Sequence, residues 1–166
     1  MQIPPASWDE RIDDVWNSTD ERSDSETVSL IRALASERPK NDAAALYERA
    51  SAHDFADEES AAEKLYRAAL DAGLDAYRRP RAVIQLASTL RNLGRPAEAI
   101  ELLRSEKADA DGLDDARTSF LALALVDLGR ADEAAVLALT ALSGTLPEYG
   151  GAISRYAAEL RERPNA

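Results

Sequence analysis

The run Leu90-Arg-Asn-Leu-Gly94-Arg95-Pro-Ala-Glu98-Ala99 returns as Leu125-Val-Asp-Leu-Gly129-Arg130-Ala-Asp-Glu133-Ala134, an offset of 35 residues. A weaker third copy sets Ala62 opposite Ala99 and Ala134, at offsets of 37 and 35. No other feature constrains the fold as strongly. A fixed period of this size marks one supersecondary unit stacked on copies of itself, with end units that need covering.

The unit is helical. Trp8, Ile12, Val15 and Trp16 make one apolar face, and Val28, Ile31, Leu34 and Ala35 the next. Val83, Leu86, Ala87, Leu90 and Leu93 form the clearest stripe, at steps of three and four. The same spacing continues through Ala134–Leu142 and through Ile153, Tyr156, Ala157 and Leu160. Breaks are short and carry helix punctuation. Asn41 is predicted as an N-cap after Pro39. Gly73, Gly94, Gly129 and Gly144 are predicted to close helices in left-handed geometry, and Pro147 to open a last helix over 148–161. The reading is all-α, with about nine helices and no strand.

Composition narrows the function. Lys+Arg 20 against Asp+Glu 31 gives a net charge of -11, which argues against nucleic acid or an anionic membrane as partner. Zero cysteines remove thiolate metal sites, disulfides and a cysteine nucleophile, and one His removes multi-histidine metal sites. No cofactor is predicted: there is no phosphate loop, dinucleotide fingerprint or nucleophile elbow. Asp109-Ala-Asp111-Gly112 has the wrong spacing to a closing Glu for a calcium loop. No leader or apolar span is read, so a cytoplasmic setting is expected. Arginine far exceeds lysine, which hints at a GC-rich bacterial genome.

These residues resemble the tetratricopeptide repeat family. Its small first-helix residue matches Ala50, Ala87 and Ala122; its second-helix alanine matches Ala62, Ala99 and Ala134. The large position in the first helix holds His53, Leu90 and Leu125; that in the second holds Tyr66, Leu103 and Ala138. Glu106 breaks the small position held elsewhere by Ala69 and Ala141, so the second repeat is predicted to end early. His53 is read as a half-buried structural residue. The segment from about Tyr47 to Leu103 looks like a small bacterial, actinobacterial-like family of free-standing domains. The resemblance implies a right-handed α-solenoid of antiparallel helix pairs in one domain. An N-terminal pair would occupy 1–40 as a cap, and three repeats 41–146 (about 41–73, 76–107 and 112–144). A C-terminal cap would occupy 147–166.

The resemblance also implies a concave groove lined by the first helix of each pair. Its candidate peptide-binding residues are Tyr47, Ser51, Asp54, Arg78, Arg81, Gln85, Ser88, Arg91, Asn92, Phe120 and Leu123. Arg81, Gln85, Ser88 and Asn92 also make one polar face by their own spacing, opposite the Val83–Leu93 stripe. Arginines can hold a carboxylate in bidentate fashion; the competing reading is that they pair with Asp71, Asp75 or other nearby acids. The family's two-carboxylate clamp is not expected, because Tyr47, Ser51, Gln85, Ala116 and Phe120 replace its Lys, Asn, Asn, Lys and Arg. Phe120, Leu123 and Val126 add an apolar wall, suiting a ligand with an acidic and a hydrophobic end. The acidic stretch Asp9–Glu26 is read as a solvated face around the tryptophans.

The function expected is a non-catalytic scaffold that binds a protein or peptide. One competitor is a self-associating homo-oligomer using the Trp-bearing or C-terminal helix. The other is an enzyme built on Tyr47 and Asp54.

Overall fold

The computed structural model describes residues 6–106 and 112–161. The Asp109–Asp111 stretch lies outside them. Among the described residues all regular structure is helical: α1 (Trp8–Asn17), α2 (Asp24–Ser36), α3 (Ala43–Phe55), α4 (Glu59–Ala72), α5 (Arg78–Asn92), α6 (Pro96–Ser105), α7 (Asp114–Asp127), α8 (Ala131–Ser143) and α9 (Gly150–Arg161), with a 3₁₀ turn at Thr19–Glu21. None of these is long and apolar enough to cross a membrane. The chain divides into two compact units, Met1–Thr89 and Leu90–Ala166.

In the first unit, helix starts are set by side chains that satisfy the free N–H groups of the first turn. Ser7 Oγ accepts from the Glu10 N–H (3.2 Å) while Glu10 accepts from the Ser7 N–H (2.6 Å). Ser23 and Glu26 repeat this capping box on α2. The cap of α3 is Asp42, one residue past the Asn41 predicted: its carboxylate accepts from the Ala45 N–H at 2.9 Å. Asp75 performs the same service at α5, accepting from the N–H groups of Tyr77 (3.0 Å) and Arg78 (2.7 Å).

Helix α1 packs on α2, α2 on α3, and α3 on α4. Ile12, Val15, Val28, Ile31 and Ala52 make the core under α1 and α2, with Trp8, Trp16 and Leu34 packed against it. Ala50, Ala62 and Ala69 are fully buried, the small side chains letting helix axes close up, while the buried Tyr66 fills the space beside them.

The second unit accounts for the repeated sequence run. Leu90 and Leu125 are buried, Gly94 and Gly129 both have φ of +74°, and Ala99 and Ala134 are buried. The Arg95 N–H closes onto the Leu90 carbonyl (2.8 Å) and the Arg130 N–H onto Leu125 (2.9 Å). This is the left-handed glycine stop that satisfies a helix's last carbonyls. Arg95 then forks onto Glu98 and Arg130 onto Glu133, each with two hydrogen bonds of 2.6–2.7 Å. What repeats is therefore a complete turn: stop, clasp and restart.

Three other ends differ from expectation or match it. Helix α6 does end early, at Ser105, with extended backbone at Glu106. Gly144 keeps right-handed angles (φ -71°) instead of the left-handed ones predicted. The last helix starts at Gly150, so Pro147 lies in the connection before it. Gly150 is the position that needs glycine, because a Cβ there would run into the Ser143 carbonyl oxygen. In this unit α6 packs on α7, α7 on α8, and α8 on α9. Ala138, aligned with a large buried position, is exposed.

Candidate functional site

Helices α1, α3 and α5 wall a cavity of about 390 Å³ in the first unit. Six of the predicted groove residues line it: Tyr47, Ser51 and Asp54 from α3, and Arg78, Arg81 and Gln85 from α5. Spacings of three, four and seven hold each set on one helix face. The rest of the lining comes from Ile12, Asp13, Trp16, Glu48, Phe55 and Tyr77.

Glu48 is 3% exposed. Its Oε2 accepts from the Trp16 indole N–H at 2.9 Å, and its Oε1 from Arg78 Nε at 3.4 Å. Burial pushes its carboxyl above the ordinary range, against the pull of Trp16 and Arg78. Arg78 also donates to Asp9 (2.6 Å) and Asp75 (2.9 Å) and lies over the Trp8 ring. Burial alone would lower its pKa, but the three carboxylates raise it. Asp9 and Asp13 are both exposed, as the solvated-face reading of 9–26 expects, but Asp9 also pairs with Arg78 and Asp13 borders the cavity. Both tryptophans are engaged within the unit: Trp8 donates to the Leu34 carbonyl at 2.8 Å, and Trp16 meets Phe55 edge-on at 5.7 Å.

At the other end of the cavity, Asp54 accepts from Thr89 Oγ1 (3.1 Å) and from the Tyr66 hydroxyl (3.3 Å). Burial pushes the Asp54 carboxyl up despite these bonds. Tyr47 and Tyr66 are raised, mainly by burial, so both phenols stay protonated and neither is a ready base. Asp54's bonds go to Tyr66 and Thr89, so the Tyr47–Asp54 pairing that an enzyme would use is not formed.

The arginines divide. Arg78 is saturated by carboxylates, one of them Asp75, and in the second unit Arg91 pairs with Asp127 at 2.6 Å. Arg81 differs: among the described residues no carboxylate pairs with it. Its guanidinium lies 3.7 Å over the Tyr77 ring and donates to the Tyr77 carbonyl at 2.7 Å. Gln85 contributes a buried amide oxygen with no hydrogen-bond partner.

Of the remaining predicted residues, Ser88 is half-buried on α5 and does not line the cavity. The other four belong to the second unit. There Asn92 is exposed, Phe120 half-buried and Leu123 46% exposed, beside Val126 at 52%. A second cavity of about 490 Å³ in that unit, lined by residues such as Arg104, Val136 and Leu160, contains none of the predicted residues. His53 is half-buried and bonds Glu58 and Arg32 at the α3–α4 turn. No group of three potential metal-ligating side chains occurs among the described residues.

The family's groove positions also include Glu48 and Phe55, and the spacing brings Tyr77 in from the loop before α5. All three line the cavity, whereas Ile12, Asp13 and Trp16 were not legible as its walls. The aromatic wall on α1 had one visible signal, two tryptophans eight residues apart on a helix otherwise full of acids.

The family profile described as "Tetratrico peptide repeat" matches residues 43–160. No curated protein and no solved structure matches the chain.

Proposed function

Since the chain belongs to the tetratricopeptide repeat family, we propose that it is a non-catalytic scaffold binding a protein or peptide in the cavity between α1, α3 and α5. Repeats of this family are generally protein-interaction modules and generally not catalysts. In this reading α3/α4, α5/α6 and α7/α8 are the three repeats, with α1/α2 and α9 as end pieces. The setting is cytoplasmic, in keeping with an acidic chain free of cysteine.

One observation carries the site assignment. Arg81 faces the cavity with no carboxylate partner among the described residues, next to an Arg78 that already has three. A guanidinium held over an aromatic ring, with its remaining N–H groups free of carboxylates, can take a carboxylate in bidentate fashion. The second unit, taken by itself, exposes Leu123 and Val126 on α7, an apolar surface of its own.

A peptide array tests this. The wild-type chain retains a subset of acidic peptides, and Arg81→Glu loses them by about tenfold to a hundredfold, the worth of one charge-assisted hydrogen bond. Circular dichroism of the variant stays unchanged. Equal retention by both proteins would remove the cavity from consideration.

Self-association is favoured by a separate observation: Leu142 and Tyr156, on α8 and α9, are each more than half exposed. The tryptophan helix no longer supports it, since both indole N–H groups are bonded internally. Light scattering decides between the two, and a monomer at all concentrations disposes of this alternative.

A further inference from the structure

Asp54 and Arg81 line the same cavity from different positions along it. Asp54 is tied to Thr89, and Arg81 stands eight residues before Thr89 on the same helix. At 1.5 Å rise per residue that is about 12 Å along α5. Arg81 also bends back to the Tyr77 carbonyl, a turn further from Asp54. The guanidinium and the carboxylate are therefore about 12–18 Å apart along the helix axis. Asp57 and Glu59 add negative charge around Asp54. Near Arg81, the acids Glu48, Asp9 and Asp75 are engaged by Arg78, which leaves Arg81 as the lining arginine with no carboxylate partner among the described residues. Between the two ends sit Ser51 and Gln85. The inward-turned amide oxygen of Gln85 has no partner, so rotating it toward a ligand gives up no bond.

We infer that this cavity reads an extended, dipolar peptide segment, with an acidic side chain on Arg81 and a basic one on Asp54, four or six residues apart. The inference rests on the peptide-binding reading above and specifies its ligand. The spacing follows from strand geometry. An extended chain rises about 3.3 Å per residue, so 12–18 Å is four to six residues, and only even separations put both side chains on one face. A helical ligand would need about eight or more residues to span the same 12–18 Å, so an optimum at four or six distinguishes an extended backbone from a helix. Asp54 has an unused lone pair on each oxygen beyond its bonds to Thr89 and Tyr66, so it accepts a cation without losing either bond.

The experiment uses the full chain and fluorescein-labelled ten-residue peptides of Ala, Ser and Gln. Each carries one Glu and one Lys, two, four, six or eight residues apart, in both orders. By fluorescence anisotropy at low salt, one order at spacing four or six should bind about tenfold to a hundredfold tighter than the charge-free parent. Spacings of two and eight should do no better than a singly charged peptide. Arg81→Gln should erase only the advantage of Glu, and Asp54→Asn only that of Lys. Because a loss can come from poor folding, a gain is included: Arg81→Glu should prefer peptides carrying two Lys residues. An optimum at spacing two or eight, or no change of preference in Arg81→Glu, overturns the inference. If charge-free peptides bind the cavity equally well, the dipolar reading falls and peptide binding stands. If the wild type binds no peptide at all, both fall together.

Discussion

Glu48 is a buried acid whose partners come from two other segments, Trp16 on α1 and Arg78 on α5. Its raised pKa has a definite sign for stability. A carboxyl that is harder to ionise folded than unfolded contributes most below pH 4.5, its ordinary value, and loses that contribution as pH rises through the folded value. Glu48→Gln stays neutral throughout. Thermal melts should therefore show the variant gaining on the wild type as pH rises above 4.5, whatever fixed offset the amide introduces. A difference in melting temperature that is constant with pH would contradict this. At this scale the spacing of Tyr47, Ser51 and Asp54, and of Arg81 and Gln85, was readable because a helix converts spacing into direction. The partners of each charge were not. Asp9 and Arg78 are 69 residues apart, Arg91 and Asp127 36, and nothing local in the sequence encodes such pairs.

At the scale of elements, the turns after α5 and α7 separate two contributions that the repeated sequence presents together. Gly129 has a φ that an L side chain adopts only with strain, so Gly129→Ala should cost about 1 kcal/mol or more. Arg130 and Glu133 are exposed, and a surface pair of this kind contributes about 0.2–1 kcal/mol even when well formed. Urea denaturation should therefore rank Gly129→Ala as more damaging than Arg130→Ala, and the reverse order would refute the account of the turn. Helix ends were legible where a glycine sat inside the Leu-Gly-Arg frame. They were misread at Gly144 and Pro147, because the start of α9 is set by how closely Gly150 passes the Ser143 carbonyl, a tertiary approach.

For the whole molecule, the charge of -11 sets long-range repulsion against short ion pairs of 2.6–3.4 Å. Raising ionic strength from 0.01 to 0.15 M shortens the Debye length from about 30 to 8 Å. That screens the repulsion far more than the close pairs, so the melting temperature should rise with salt over this range; a fall would mean the pairs dominate. The helical-repeat class was legible from the 35-residue offset, but the division after Thr89 was not. It falls inside α5, whose apolar stripe from Val83 to Leu93 crosses it without a change of composition. The Asp9–Arg78 bond has a consequence for synthesis. At about 5–20 residues per second, Asp9 is made some 3–14 s before Arg78. Helix α1 can settle on α2 in that interval, since Trp8–Leu34 and Arg11–Glu37 span only 26 residues each. The growing chain therefore passes through a stage in which the α1 wall that carries Trp16 can form before either arginine of the future cavity has been made.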